Sequence, residues 1–189
     1  MIAPLRALSL FLTVVIVFGC SSRDRACNAG ESATAVDPAL LAFLSRARAA
    51  HHAADAQEEQ HAEQALVALR AIVDGPLPGR ADARPAEVRE VLADTGARIA
   101  DLESQAQKYD AAVQSINRAL VWVPETNYFR GHLYEVLGLV EERRAHLLAQ
   151  SGDVAGAEQA KNRALAAFEQ SMGIQAEVIR MFSVDTGKK

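Results

Sequence analysis

The spacing of the apolar residues is the feature that most constrains the fold of this chain. Through most of residues 37–182, large apolar residues recur every three or four positions, and no segment alternates apolar and polar residues over a sustained stretch. Spacing of three and four gives an α-helix one apolar face, whereas alternation is typical of a half-buried strand. Alanine is abundant, and strong helix formers dominate every long segment. The sequence therefore predicts an all-α domain without a sheet.

Prolines and capping residues divide this region into helices. Asp37-Pro38 supplies a cap acceptor followed by proline at the first helical position, Pro85 begins a later helix, and Pro124 ends another. The first segment is either one long helix or a hairpin broken near residues 53–57, since no glycine or proline marks a break there. The predicted helical segments are 38–73, 85–106, 109–123, 128–150 and 154–182.

The start of the chain has a different pattern. A short basic segment precedes an apolar run over residues 7–18, and the chain becomes polar directly after Cys20. The run is shorter than the about 20 apolar residues that span a bilayer as a helix, and it has the shape of a secretory signal. Its ending, Val17-Phe18-Gly19-Cys20, resembles the lipobox of bacterial lipoproteins.

This resemblance implies a lipid anchor. In that family the cysteine thiol is acylated and the signal is cut before it, so we expect lipidation of Cys20, a signal peptide over 1–19 and a flexible tether over 20–36. Because the mature end would carry more than one acyl chain, attachment would be stable. Ser21 does not look like an inner-membrane retention signal, which favours the periplasmic face of the outer membrane over the inner membrane.

One segment carries a repeat-like pattern. The pattern Tyr-x-x-Ala-x-x-x-φ-x-x-Ala-Leu-x-x-x-Pro occurs at Tyr109, Ala112, Ile116, Ala119, Leu120 and Pro124. It resembles the second helix of a tetratricopeptide repeat. The preceding helix departs from the family, with Gly96, Ala100 and Glu103 in place of its usual Trp, Gly and Tyr. The resemblance implies antiparallel helix hairpins stacked as a short solenoid over 37–182, followed by a tail over 183–189. An irregular helical bundle is the alternative.

The repeat register also predicts a binding groove. The first helices of successive repeats would line it with polar residues and one aromatic, which suit an extended peptide or a helix. The predicted lining is Asp94, Arg98, Asp101 and Gln105 from one helix and Tyr128, His132 and Glu135 from the next. We therefore expect a non-catalytic adaptor or assembly factor that binds another envelope protein. A helical lipoprotein that binds a small apolar ligand between its helices is an alternative.

Other chemistry has less support in the sequence. The ligand-rich cluster of His51, His52, Asp55, Glu58, Glu59 and His61 makes a metal site a further alternative, but a solvated helix surface explains it more simply. No GxSxG, GxxxxGK[ST] or GxGxxG occurs, so neither an enzyme nor a cofactor is expected. The net charge is −4 and becomes −5 once the segment with Arg6 is removed, which argues against a nucleic-acid partner.

Overall fold

The computed structural model describes residues 37–57, 61–81 and 83–186, and these residues are almost entirely helical. The helices are α1 (Pro38–Gln57), α2 (Ala62–Val73), α3 (Ala86–Gln105), α4 (Tyr109–Leu120), α5 (Tyr128–Gln150) and α6 (Val154–Thr186). The prediction of an all-α domain is confirmed. None of these helices is long and apolar enough to cross a membrane. The predicted signal peptide, Cys20 and the tether lie outside the described residues.

The first helical segment is a hairpin, not one long helix. α1 ends at Gln57, the last residue of the predicted window for a break, and α2 begins at Ala62. Ala54 and Ala65 are fully buried where the two helices meet, and such small side chains allow a close approach. Near the start of α1, Phe43 is buried, whereas Leu41 is 51% exposed.

Helix α3 lies at the centre of the domain and contacts α1, α2, α4 and α5. Its apolar face is buried through Val88, Leu92, Ile99 and Leu102. A second side of α3 is buried as well, because helices surround it, and that side is built from small residues. They are Ala93, Ala97 and Ala100. On the side of Leu92 and Ile99, Gly96 allows a close approach of α4, because a Cβ added there would lie 2.5 Å from the Cβ of Ala119.

Each described helix packs against the next one along the chain, and α3 also contacts both α1 and α5. α6 contacts no described helix except α5. This arrangement fits the irregular helical bundle that the sequence left as an alternative, and stacking of the tetratricopeptide type stays a prediction. α6 continues to Thr186. The helix therefore extends four residues past its predicted end at residue 182.

Candidate partner-binding cleft

A cleft of about 410 Å³ lies where α1, α3 and α5 meet. We call it the α1–α3–α5 cleft, and its lining residues are His51, Asp94, Ala97, Arg98, Asp101, His132, Val136, Leu139 and Arg143. Each of the three helices contributes side chains to the lining, because α3 contacts both α1 and α5. Residues about one turn apart along α3, and likewise along α5, face the same opening. The lining combines acidic, basic and imidazole groups with aliphatic side chains.

Four of the seven residues predicted from the repeat register line this cleft. They are Asp94, Arg98 and Asp101 of α3 and His132 of α5. The structure thus brings together two sets that are more than 30 residues apart in the sequence. Their convergence follows from the direct contact between α3 and α5.

The other three predicted residues lie at the margin and contact the lining. The Gln105 side-chain amide donates to the Asp101 carboxylate at 2.8 Å. His132 is hydrogen bonded to Glu135, with 3.2 Å between Nδ1 and Oε2, and its ring is stacked against Tyr128 at 6.1 Å between centroids. Tyr128 is 59% exposed, so its ring is accessible at the edge of the cleft.

The charged groups of the cleft pair across helices. Arg143 of α5 donates to Asp101 of α3, with 2.6 Å between Nη1 and Oδ1. Arg98 of α3 pairs with Asp55 of α1. These pairs join α1, α3 and α5 and hold the side chains of the lining in fixed positions.

His51 connects α1 to α3. Its Nε2 lies 2.9 Å from the Thr95 hydroxyl, and its Nδ1 lies 4.0 Å from the Asp94 carboxylate. Burial has the largest effect on the pKa of His51 and lowers it. The nearby carboxylates of Asp94 and Asp55 raise this pKa, and the Arg98 guanidinium lowers it further. The neutral ring is therefore favoured in the folded state.

Sequence reasoning missed the contributions of His51, Leu139 and Arg143. The sequence indicates for His51 either a metal ligand or, more simply, a solvated surface residue, because no glycine or proline marks the break in the first segment and the register of α1 against α3 is undefined. Leu139 and Arg143 follow His132 at helical spacing, seven and eleven residues on, so extending the register along α5 would have found them.

The ligand-rich cluster does not gather around His51. Among the described residues, no group of three or more His, Cys, Asp or Glu side chains is placed to hold a metal ion. His52 and His61 are exposed, and His51 faces Thr95 on α3. Glu58 and Glu59 lie outside the described residues.

A second, larger cleft of about 650 Å³ lies between α2 and α4, with α3 as its floor. We call it the α2–α3–α4 cleft. It opens on the opposite face of α3, because Leu92, Gly96, Ile99 and Glu103 lie half a helical turn from Asp94, Arg98 and Asp101. Its walls are mainly apolar and include Val73, Leu92, Ile99, Ala119, Val121 and Trp122.

One buried carboxylate gives the α2–α3–α4 cleft a polar end. The Glu103 side chain is 4% exposed and accepts a hydrogen bond from Arg70 of α2 at 2.7 Å. The Ser115 hydroxyl of α4 donates to its other oxygen at 2.7 Å. Both oxygens of Glu103 are thus satisfied, which is what a buried carboxylate requires. The repeat resemblance predicted no such role for this residue.

Both clefts are lined by residues from separate helices, and four of the seven predicted binding residues line the α1–α3–α5 cleft. Comparison with known proteins adds no assignment: no protein-family model, no curated protein and no solved structure matches this chain.

Proposed function

We propose that this chain is a bacterial lipoprotein, anchored through acylated Cys20 to the periplasmic face of the outer membrane. Its helical domain, proposed to be of the tetratricopeptide type, binds another protein of the cell envelope and acts as an adaptor or assembly factor without catalysis. The sequence Val17-Phe18-Gly19-Cys20 supports the anchor, and the pattern from Tyr109 to Pro124 supports the repeat.

The observation that carries the proposed partner binding is the α1–α3–α5 cleft. Residues selected from the repeat register alone, including Asp94, Arg98 and His132, line one opening. Charged groups at its wall and the aliphatic Val136 and Leu139 offer an extended peptide both polar and apolar contacts. The exposed ring of Tyr128 at the margin adds the kind of aromatic side chain that anchors protein interfaces.

The lipid anchor would strengthen a weak contact. A partner that is itself attached to or inserted in the same membrane meets the cleft at a raised effective concentration. A moderate affinity is then sufficient for stable capture in the cell, and removal of the anchor lowers capture without any change in the cleft.

The proposal is tested by mild crosslinking in intact cells, with the tagged full chain purified and its companions identified by mass spectrometry. We expect one dominant envelope protein, captured with the normal chain and lost with Cys20→Ser. Charge reversal at the cleft, Arg98→Glu or Glu135→Lys, should reduce capture about tenfold, as expected for losing a contact of about 1.4 kcal/mol. Arg89→Glu breaks a comparable ion pair, with Glu125, away from this cleft and serves as the matched control.

A second candidate function, binding of a small apolar ligand, is favoured by the α2–α3–α4 cleft. Its volume of about 650 Å³ lies within the range of small-molecule sites, about 300–1,000 Å³. Trp122, the only tryptophan of the chain, lies in its wall and reports occupancy through its fluorescence.

Titration of the full chain with 1-aminoanthracene tests this candidate. Binding in the cleft predicts a saturable change in Trp122 emission that Ala111→Phe, which fills the opening, abolishes. Ala166→Phe, on the exposed surface of α6, should leave the change intact. A signal that never saturates, or that Ala111→Phe leaves untouched, rejects the candidate.

A further inference from the structure

Helix α6 is largely unpartnered. It has 33 residues and contacts only α5, which has 23, among the described helices. The two helices are antiparallel, with Gly131 of α5 facing Ser171 and Ile174 of α6. The last ten residues of α6 therefore extend about 15 Å past the start of α5.

The exposed large apolar side chains of the described chain concentrate on α6. Six of ten lie there, and they are Val154, Leu165, Met172, Ile179, Met181 and Phe182. Leu165, Met172 and Ile179 are seven residues apart and so form one straight stripe along the helix. Met172 is 64% and Ile179 is 66% exposed. An apolar stripe of this kind on a soluble surface marks an interaction site.

A groove borders the stripe at the other end of α6. It has a volume of about 540 Å³, lies between α5 and α6, and has a floor of small side chains at Ala145, Ala149, Ala157 and Ala164. Leu165 belongs both to this groove and to the stripe, so the two features form one continuous face. We call it the α5–α6 end face.

We propose that the α5–α6 end face binds the same face of a second copy, so that the protein is a two-fold symmetric dimer. An axis near Met172 sets the two α6 helices antiparallel and brings Leu165 opposite the second copy's Ile179, since each is seven residues from Met172. The overhanging end of one α6 then covers the groove beside Leu165 on the other. The overhanging end of α6 and the groove lie at opposite ends of the same helix. Each copy therefore supplies both complementary surfaces, as a self-complementary interface requires.

The charges beside the stripe favour this antiparallel arrangement. A parallel pairing in register would set Glu169 beside the second copy's Glu169 and Lys161 beside its Lys161. With the axis at Met172, Glu169 lies opposite Gln175 and Lys161 opposite Ser183 of the second copy. Like charges that face each other across a helix pair are destabilising, so the antiparallel pairing is preferred.

The size of the face is sufficient for a specific contact. With the axis at Met172, residues 158–186 of the two α6 helices overlap, a length of about 44 Å and a width of about 10 Å, so α6 alone offers about 440 Å² per copy. The total of about 900 Å², with the groove that the helix end covers in addition, lies near the lower limit of specific interfaces, about 1,000 Å². Because interfaces of this size belong to weak complexes, we expect the dimer to dissociate reversibly.

Sedimentation of the full chain in mild detergent, over a range of concentrations, tests the proposal. We expect a reversible dimer, with a dissociation constant that Ile179→Glu raises about tenfold or more because it buries a charge in an apolar contact. Val67→Glu, which alters an equally exposed side chain on α2, is the matched control and should leave the dimer intact. A chain that stays monomeric at about 100 µM, near the weak end of specific association, overturns the proposal.

Disulfide trapping tests the position of the axis. In a chain carrying Cys20→Ser and Cys27→Ser, Met172→Cys should form a covalent dimer on mild oxidation, since the two sulfurs meet at the axis. Ala166→Cys, on another side of α6, should not. Equal trapping at both positions, or a dimer that Ile179→Glu leaves unchanged, contradicts the α5–α6 end face. A monomer whose α6 instead binds lipid vesicles or another protein contradicts it as well.

Discussion

Arg143 of α5 donates to two groups of α3 at once, the Asp101 carboxylate at 2.6 Å and the Ser104 hydroxyl at 2.5 Å. The Ser104 hydroxyl in turn donates to the Asp101 backbone carbonyl at 2.8 Å. The three residues form a closed network that joins the two central helices at the end of the α1–α3–α5 cleft. This network keeps the cleft walls at a fixed separation.

Replacing Arg143 by glutamine should lower the free energy of unfolding by about 1 kcal/mol. Hydrogen bonds to charged groups contribute about 1.5–3 kcal/mol, and solvent reduces that value here because both side chains are about one third exposed. Urea denaturation, followed by helical circular dichroism, measures the change. Arg180→Gln, whose partner Glu177 lies on the same exposed helix, should cost less than half as much. Equal losses would show that the network has no special role.

Removing Arg70 should be more damaging than removing Arg143. Arg70 is the ion-pair partner of the buried Glu103 carboxylate, so Arg70→Met leaves a charge unpaired in the interior. We expect a loss of about 2–3 kcal/mol. The double variant Arg70→Met with Glu103→Met should be more stable than the sum of the two single changes predicts, because it removes both charges together. Additive losses in urea denaturation would contradict this coupling.

Two glycines of the α5–α6 hairpin should respond to alanine in opposite ways. A Cβ at Gly138 would lie 2.6–2.7 Å from atoms of the Phe168 ring, so Gly138→Ala forces that ring to move and should cost about 1–3 kcal/mol. At Gly173 no atom lies within 4 Å of the added Cβ apart from the adjacent residues and the backbone of the surrounding helical turns. Gly173→Ala should therefore stabilise the chain by about 0.5–1 kcal/mol through helix propensity. Thermal unfolding of both variants measures the difference, and a stabilised Gly138→Ala would contradict the packing described.

Stability should depend on pH through His51. Because burial lowers the pKa of His51 in the folded chain, the unfolded chain binds the proton first as the pH falls below about 6.5. The free energy of unfolding should then decrease between pH 7 and pH 5. His51→Gln should reduce this dependence, measured by urea denaturation at each pH. An unchanged slope in His51→Gln would show that another group titrates.

The sequence predicts the helices well because their signals are local. Apolar spacing and prolines define α3, α4 and α5 to within a few residues, and the small residues at Ala112 and Ala119 are buried as expected. The break after Gln57 was left open, since no glycine or proline marks it. The extension of α6 to Thr186 is not indicated by the sequence, because residues 183–186 (Ser-Val-Asp-Thr) are mostly polar.

The site was predicted less completely, since it depends on which helices touch. Asp94, Arg98 and Asp101 share one face of α3, which their spacing indicates. Nothing in the sequence states that α1 lies beside α3, so the part played by His51 could not be found. Glu103 gave no signal either, because its burial depends on Arg70 and Ser115 from two other helices.

Site-specific photocrosslinking in intact cells tests the central claim, that the α1–α3–α5 cleft binds the partner. A photoreactive residue at Tyr128 or Glu135, at the margin of the cleft, should give a crosslinked product with one envelope protein. The same residue at Val67 or Val121, which are 67% and 74% exposed and do not line the α1–α3–α5 cleft, should give none. A product that forms equally from Val67 and Val121, or only from them, would contradict the account.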